Sequence, residues 1–345
     1  MTERAVTVLI TSAGRRNYLV RWFREALESV SPRSRVVVAD ASPDAPARAE
    51  ASAFERLPSI RDEAYLPTLL QICDRYEVDV ALSLNDYELS HWARTEMLAT
   101  PSTQFLRLSE RTQAIVEDKF ELASHLDAHG LRYPPTVTAA SYLSGRDTLP
   151  GASRLVIKAR YGSGSSGLVI TDADRAEQAI SGALPHAHDR TGSPLGSPAV
   201  AAEALVVQPF IAGQEHGLDV VNDLGARYQA VLARTKLAMR GGETDRAETT
   251  DASPFRETGA RLSRALGHRG LVDTDVIVDG GDQPWVIDVN PRFGGGYPFS
   301  HVAGANVPLA MVRWLTGRHH EDALEYRSGC RGAKYIEVAG IPSDE

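Results

Sequence analysis

The sequence predicts an α/β protein whose first part is a doubly wound parallel sheet. Apolar segments typical of buried strands occupy residues 5–14, 34–43 and 79–88, and segments 17–30 and 65–78 have helical spacing. Strands that alternate with helices form parallel sheets, because each crossover helix returns the chain to the same edge. The later part of the chain mixes strands, helices and glycine-rich turns, which favours an α+β arrangement there.

Polar residues follow the predicted strands of the first part. Ligands of doubly wound sheets bind beyond the carboxyl ends of the strands, which places a site near residues 12–17, Asp40 and residues 85–88. The candidate substrate-binding residues of this region are Ser12, Gly14, Arg15, Asn85 and Asp86.

The pattern changes after residue 108. A helix is predicted over residues 109–130, with Ser109 as its N-cap and Gly130 just beyond its C-terminus. Segment 185–202 is rich in Gly, Ser, Pro and Ala, and it is predicted to be disordered. Segment 239–253 is predicted to be a polar, glycine-containing loop.

The composition argues against several classes of protein. A net charge of −8 without a dense basic run argues against nucleic-acid binding. The sequence contains no apolar stretch long enough to cross a bilayer and no signal-peptide pattern. The two cysteines, Cys73 and Cys330, have no metal-type spacing. We therefore expect a cytoplasmic protein with reduced thiols, whose partners are small molecules rather than nucleic acid or a membrane.

Apolar and polar residues alternate through residues 273–290, which predicts a β-hairpin around Gly280–Gln283. If these four residues form the loop, Asp279 faces Pro284, and the pairing of every later residue is fixed. A slip of one residue in the loop would break this pairing, because it moves each side chain to the other face.

This register brings together four oxygen-bearing side chains on one face of the hairpin. Asp275 lies opposite Asp288, and Asp273 lies opposite Asn290. Directly paired Cβ atoms are roughly 4.5–5.5 Å apart, so like charges repel there. A divalent cation would turn that repulsion into coordination, and ligands that are all oxygen favour Mg²⁺ or Mn²⁺. The alternative is a solvated hairpin whose carboxylates only aid solubility.

The hairpin leads into an arginine and a glycine loop. Arg292 follows the last of these oxygen ligands, and Gly294, Gly295 and Gly296 follow it. Glycines let the backbone come close to a bound group, so we expect substrate contacts at Gly294 and Gly295.

A second glycine-rich segment lies at residues 155–170. Gly162, Gly164 and Gly167 have the spacing G-x-G-x-x-G, but the residues that follow resume a strand instead of opening a helix. This context argues against a dinucleotide-binding oxidoreductase, and the chain lacks the other protein-kinase motifs. A hairpin tip over phosphates, with Lys158 on the incoming strand, fits better. The alternative is a flexible hairpin with a surface lysine.

A third segment, residues 206–221, is weaker evidence by itself. An apolar strand ends at Gln208, and a short connector leads to Glu215. Backbone groups of such a connector can bind adenine, and a nearby carboxylate can bind ribose hydroxyls. Lys119 and Lys236 are unremarkable singly.

The order of these segments resembles the ATP-grasp superfamily, most closely its small carbamoyl-phosphate-synthase-like carboxylate–amine ligases. The most specific part is D-V-N-P-R at residues 288–292, with Asp275 thirteen positions earlier. The resemblance covers essentially the whole chain and implies an ATP-grasp fold of three parts. These are an N-terminal preATP-grasp domain (1–108), a linker helix with a mobile lid (109–207), and a C-terminal nucleotide- and metal-binding domain (208–345).

The resemblance also implies a role for each matching residue. Asp275, Asp288 and Asn290 match metal ligands, Arg292 matches the guanidinium that steadies the transferred phosphoryl group, and Lys236 is a looser match to a further catalytic cation. The residues that match ATP contacts are Lys119, Lys158, Gly162, Ser163, Gly164, Gly167, Gln208, Pro209, Phe210, Ile211 and Glu215. Gln208 departs from the glutamate that many relatives have, which puts the adenine contact in doubt.

The activity implied by the resemblance is ATP-dependent ligation. A carboxylate is activated as an acyl phosphate, ADP and phosphate are released, and an amine accepts the acyl group. ATP and Mg²⁺ are the implied cofactors, Mn²⁺ is expected to substitute, and a homodimer is expected. The alternatives are a ligase with a non-amine or intramolecular nucleophile and a non-catalytic ATP-binding subunit.

Overall fold

The computed structural model describes residues 4–99, 102–162 and 167–341. Within these ranges the strands form three sheets that follow one another along the chain. The predicted α/β class with a parallel N-terminal sheet is confirmed. The domain division at residues 108 and 207 stays a prediction.

The first sheet is parallel throughout, with strand order β3-β2-β1-β4-β5. Its strands are β1 (Thr7–Thr11), β2 (Arg35–Asp40), β3 (Ala53–Arg56), β4 (Val80–Ser83) and β5 (Gln104–Phe105). Its helices are α1 (Asn17–Glu28), α2 (Tyr65–Tyr76) and α3 (Asp86–Ala93). Three strands and two helices were predicted; β3 and β5 are short additions at the edges. The strand predicted to reach residue 88 ends at Ser83, because Asn85 caps α3 by accepting from the amides of Tyr87 and Glu88.

Both faces of the first sheet are covered, as the doubly wound prediction requires. Val8 and Ile10 point into a core that includes α1, whereas Leu9 points into a core on the other face with Tyr65 and Leu69 of α2. Strands buried on both faces have continuous apolar sequences, which explains the composition of β1 and β2.

The predicted single helix over residues 109–130 is instead two helices. They are α4 (Glu110–Val116) and α5 (Lys119–Ala128). Asp118 ends the first and caps the second, because its Oδ1 accepts from the amides of Phe120 and Glu121. The predicted N-cap at Ser109 is confirmed, since its hydroxyl accepts from the amide of Thr112.

The second sheet is antiparallel, with strand order β6-β9-β7-β8. Its strands are β6 (Val137–Thr138), β7 (Arg154–Ala159), β8 (Val169–Asp172) and β9 (Leu205–Pro209). The helices beside it are α6 (Ala139–Leu143), α7 (Ala176–Ala183) and α8 (Pro198–Glu203). The prediction of disorder over residues 185–202 is wrong: His188 bridges to Pro194, and Ala201 of α8 is part of the core.

The third sheet is also antiparallel, with strand order β14-β13-β10-β11-β12-β15. Its strands are β10 (Gly213–Asn222), β11 (Tyr228–Arg240), β12 (Glu243–Thr250), β13 (Gly270–Asp279), β14 (Pro284–Asn290) and β15 (Arg331–Ala333). The helices here are α9 (Arg256–Leu266), α10 (Tyr297–Val302) and α11 (Val307–Thr316). The loop predicted over residues 239–253 is wrong, because β11 and β12 extend to a tight turn at Gly241–Gly242.

The first and third sheets are joined through one apolar core. Helix α11 packs against α1, and Leu232 and Leu271 of the third sheet belong to the same buried cluster as Val8. This contact brings the carboxyl ends of β1 and β4 toward the end of β14. None of the helices in the described ranges has the length and apolar character needed to cross a membrane.

Candidate active site

The β13–β14 hairpin carries the predicted oxygen ligands in the predicted register. Asp275 pairs with Asp288, and Asp273 pairs with Asn290. The pairing of Asp279 with Pro284 is wrong, because Val278 occupies that position.

A β-bulge explains why the predicted pairing holds at Asp288 but is shifted by one residue near the turn. Val276 pairs with Val286, so Ile287 is an extra residue on β14 beside Asp288. A bulged residue is left outside the ladder, and the carbonyl of Ile287 accepts from Nζ of Lys158 at 3.1 Å. The bulge therefore ties the ligand-bearing strand to a predicted phosphate-binding lysine of the second sheet.

The predicted metal ligands already have polar partners. Oδ1 of Asp275 lies 2.7 Å from Nζ of Lys236, and the same ammonium lies 2.7 Å from Oε1 of Glu215. Asn290 donates to Oδ2 of Asp288 at 3.1 Å. Burial raises the pKa of Asp275 to about 7, with repulsion from Asp273 and Asp288 adding to the rise, while Lys236 opposes it.

The donor set fits a hard divalent cation. In the described ranges no three His, Cys, Asp or Glu side chains are arranged to hold a metal ion. A cation here would therefore take the carboxylates of Asp275 and Asp288 with the amide oxygen of Asn290, and water or phosphate oxygens would complete its shell. Mg²⁺ characteristically retains such water and phosphate ligands.

Two lysines flank the glycine turn after β7. Lys119, the first residue of α5, donates from Nζ to the carbonyl of Gly162 at 2.6 Å. Burial, together with the neighbouring charge of Lys119, lowers the pKa of Lys158 to about 8. Gly162 has φ +96° and Gly167 has φ +72°, a left-handed backbone that favours glycine. Ser163 and Gly164 lie outside the described residues.

The predicted adenine segment begins at the end of β9. The amide group of Gln208 is buried and donates to Oγ1 of Thr136 at 2.8 Å, so that side chain is occupied within the second sheet. Pro209, Phe210 and Ile211 are only partly buried, and the ring of Phe210 stacks under Arg154. Any adenine contact in this segment would therefore use backbone groups and apolar side chains rather than the Gln208 amide.

Arg292 is held by a carboxylate from the first sheet. Its Nε and Nη2 donate to the two oxygens of Asp86 at 2.7 Å each. Two predicted site residues, one from each end of the chain, thus lie in direct contact.

The neighbouring arginines differ in their surroundings. Arg15 is exposed, whereas Arg16 donates to the carbonyl of Phe293 and lies 3.7 Å from the Glu243 carboxylate. Arg16 therefore lies beside the end of β14, and a substrate contact at Arg15 stays a prediction.

Ser12, Gly14 and Asn85 are fixed at the strand ends. Ser12 has φ +51°, and its hydroxyl donates to Oε2 of buried Glu88 at 3.0 Å. The amide of Gly14 donates to Asp40, and the side chain of Asn85 is committed to capping α3. These contacts show only how the three residues are held in place. A substrate contact at Ser12, Gly14 or Asn85 stays a prediction.

The glycine loop after Arg292 has a packing role that the sequence did not suggest. A Cβ on Gly294 would overlap the carboxylate of Asp273, one on Gly295 would press on Glu243, and one on Gly296 would overlap Arg234. The space where these side chains would project is filled by protein. A substrate contact at Gly294 and Gly295 stays a prediction.

The loop packs on a buried ion-pair network that sequence reasoning missed. The Arg234 guanidinium donates to Asp219 at 2.6 Å and to Asp273 at 2.7 Å, and Ser300 donates to Asp219 at 2.8 Å. Oδ1 of Asp273 is thereby committed to Arg234. No local pattern marked Arg234 as buried, because its partners lie on the neighbouring strands β10 and β13.

A cleft lies between the three sheets, at the end of β14. Its lining includes Asp86, Lys119, Gly162, Arg190, Asp288 and Asn290. Four of these were predicted from separate segments as ATP or metal contacts and Asp86 as a substrate contact, and the fold brings them to one place.

Comparisons with known proteins agree with this arrangement. Residues 116–296 match the family model of the ATP-grasp domain, and residues 8–105 match the model of the PylC-like N-terminal domain. A comparison with curated protein sequences finds no significant match.

Solved structures with the same fold are numerous. N5-carboxyaminoimidazole synthetase from Staphylococcus aureus aligns with a TM-score of 0.67 at 14% identity, over 94% of this chain and 82% of that one. Biotin carboxylase from Campylobacter jejuni gives 0.68 at 16%, over 94% and 74%. L-amino acid ligase from Bacillus licheniformis gives 0.65 at 19%, over 95% and 78%. At these identities the likeness concerns the fold.

Proposed function

The chain belongs to the ATP-grasp domain family, and we propose on that premise that it is an ATP-dependent carboxylate–amine ligase. The observation that carries the proposal is the single cleft that brings together Lys119, Asp288 and Asn290 with Asp86, the partner of Arg292. Phosphate-binding cations, oxygen ligands for a divalent ion and a positioned guanidinium are the groups that phosphoryl transfer to a carboxylate needs.

ATP would lie across the edges of the second and third sheets. Segment 208–211 contacts adenine through its backbone, Glu215 binds the ribose, and Lys119 and Lys158 bind phosphate oxygens. Mg²⁺, held by Asp275, Asp288 and Asn290, neutralises phosphate charge, and Mn²⁺ substitutes for it.

Two steps follow in this proposal. An oxygen of the substrate carboxylate attacks the γ-phosphorus, the bond to the β-phosphate oxygen breaks, and ADP leaves. An amine then attacks the acyl carbon, loses a proton, and expels phosphate to leave an amide. Arg292 steadies the phosphoryl group during the first step, with Asp86 fixing the plane of its guanidinium.

Lys236 has to change partners when the nucleotide binds. In the structure its ammonium bridges Glu215 and Asp275, which the proposal assigns to ribose and metal. A bound cation would compensate Asp275 instead, and Lys236 would then be available to a phosphate oxygen.

The proposal is tested by screening pairs of carboxylates and amines for phosphate release. A carboxylate that supports turnover is then offered with hydroxylamine, and the expected products are a hydroxamate and ADP. AMP and pyrophosphate would contradict acyl-phosphate chemistry. ATP binding without turnover across the screen would favour the non-catalytic alternative, and turnover without an amine would favour another nucleophile.

A cytoplasmic location and a homodimer complete the proposal. Light scattering coupled to size-exclusion chromatography tests the dimer, since a monomeric mass at micromolar concentration contradicts it.

A further inference from the structure

Arg190 reaches the cleft from a segment that carries no nucleotide-binding motif. Its Nη2 donates to Oδ2 of Asp118 at 2.7 Å, and its Nη1 donates to the carbonyl of Ala114 at 3.1 Å. Its guanidinium also lies 4.8 Å from the ring centroid of Tyr161. Asp118 is fully buried and directly precedes Lys119. The guanidinium is therefore fixed next to a predicted phosphate-binding lysine.

The charges around Asp118 leave a positive excess. Its carboxylate is shared by two guanidinium groups, since Arg160 also donates to both of its oxygens at 2.7 and 2.8 Å. The side chain of Arg190 is 39% exposed and lines the cleft, whereas that of Arg160 is 16% exposed. Glu121 also lies 4.0 Å from Arg160, and the adjacent Lys119 adds a third cation. The three cations outnumber the two carboxylates, so one positive charge is left in excess beside the cleft.

The same cleft is lined by the predicted cation ligands Asp288 and Asn290. Of the other carboxylates in the lining, Asp86 is paired with Arg292, and Glu117 lies 2.9 Å from Arg94. An anion that also binds a divalent cation suits this cleft, because its lining supplies both cationic side chains and metal ligands. A phosphoryl group has this chemistry.

The segment around Arg190 closes the cleft against the first sheet. Arg61 donates to the carbonyl of Thr191 at 3.3 Å. Gly192 has φ +79°, and a Cβ there would come within 2.9 Å of the Tyr87 hydroxyl. Segment 208–211, proposed for adenine, is not part of this lining, whereas Asp86, the partner of Arg292, is.

We propose that Arg190 is a further phosphate-binding residue, which contacts the γ-phosphoryl group of ATP. The inference rests on the proposed function and adds a residue from segment 187–195 to the site. Its role differs from that of Arg160, which braces the same carboxylate from outside the cleft.

The test compares Arg190→Gln with the matched control Arg160→Gln in the full chain. Calorimetry measures the binding of the non-hydrolysable ATP analogue AMP-PNP, of ADP and of AMP, the first two with Mg²⁺. Loss of a charge-assisted hydrogen bond is expected to weaken AMP-PNP binding roughly 10–100-fold in Arg190→Gln. ADP should be affected much less and AMP not at all, and Arg190→Lys should recover part of the loss. Arg160→Gln should leave the ratio of AMP-PNP to ADP affinity unchanged.

Other results overturn the inference. Equal losses for all three nucleotides, or the same selective loss in both variants, would mean that Arg190 only braces Asp118. Unchanged AMP-PNP binding in Arg190→Gln would exclude the contact while leaving the proposed function standing. Failure of the wild type to bind AMP-PNP with Mg²⁺ would contradict both.

Discussion

Asp86 and Arg292 are 206 positions apart in the sequence and form a two-pronged ion pair, with both N···O distances at 2.7 Å. Asp86 begins α3 at the end of the parallel sheet, and Arg292 follows β14 of the antiparallel sheet. The pair fixes the guanidinium at the junction of the two sheets, where the proposed phosphoryl transfer takes place.

Arg292→Ala should lower kcat by roughly 10²–10⁴ with little change in ATP affinity, because the contact strengthens as charge develops in the transition state. Arg292→Lys should recover little, since a point charge cannot keep the planar, two-pronged contact with Asp86. Asp86→Asn, which retains a hydrogen-bonding side chain, should give a smaller loss. Steady-state kinetics and nucleotide binding measure these effects. A kcat close to that of the wild type in Arg292→Ala would remove this residue from the mechanism.

Asp288→Ala should abolish turnover and the Mg²⁺-dependent thermal stabilisation by ADP, because a cation ligand is lost and ligand binding no longer favours the folded state. The control is Asp282→Asn, an exposed residue in the turn of the same hairpin. It should retain both properties, and circular dichroism should show both variants folded. Activity of Asp288→Ala in the presence of a chelator would exclude the metal site.

Gly296→Ala should destabilise the fold by about 1–3 kcal/mol or more, because a Cβ there overlaps a buried guanidinium that two carboxylates hold in place. Gly280→Ala is the matched control, since no atom lies within 4 Å of the Cβ position. Urea unfolding of the two variants measures the difference. Equal stabilities would show that the Arg234 network rearranges without cost.

The stability of the protein should fall as the pH drops from about 6.5 to 4, in part through His268. This side chain is buried and bonds to the carbonyl of Val220 through Nε2, and burial lowers its pKa from 6.5 to about 4. The unfolded chain binds a proton in this window and the folded chain does not, so acid favours unfolding. The contribution is present above pH 6.5, and about 3 kcal/mol of it is lost as the pH falls through the folded pKa.

His268→Gln removes the titrating group while keeping an N–H donor. The slope of the free energy of unfolding against pH should then be about one proton smaller between pH 4 and 6.5. Unfolding in urea at a series of pH values measures that slope. An unchanged slope would show that His268 does not take up a proton on unfolding.

Local sequence patterns predicted the strands and helices in which apolar and polar residues alternate with the period of that element. The alternation in residues 273–290 placed Asp275 and Asp288 on one face of the hairpin, because a strand allows only two faces. Their direct pairing also depends on the bulge at Ile287, which offsets the one-residue error in the register predicted at the turn. The parallel sheet followed from apolar strands separated by helical segments. These features depend on neighbours in the chain, which a sequence displays directly.

Two errors had local signals that were available. The segment D-K-F-E at 118–121 has the spacing of a capping box, which marks a new helix start inside a helical pattern. Gly241–Gly242 between two strand-like segments is a hairpin signal.

The remaining site contacts depend on the tertiary fold. Arg234 is an ordinary arginine in the sequence, and only the packing of β10, β11 and β13 shows that it is buried between two carboxylates. Arg190 is equally inconspicuous until the second sheet meets α4 and α5. No spacing rule joins residues whose contact is created by the docking of separate sheets.

The extra residue Ile287 separates two parts of the β13–β14 hairpin that can change independently. On the turn side of the bulge, the exposed turn at residues 280–283 sets the pairing of the two strands. On the other side, Asp288 pairs with Asp275 and Asn290 pairs with Asp273. A peptide inserted between Gly280 and Gly281 would lengthen the tip without rotating either ligand to the opposite face. The tip is therefore a point of attachment for a fluorescent label or a fused domain, several residues along the strand from the reacting atoms.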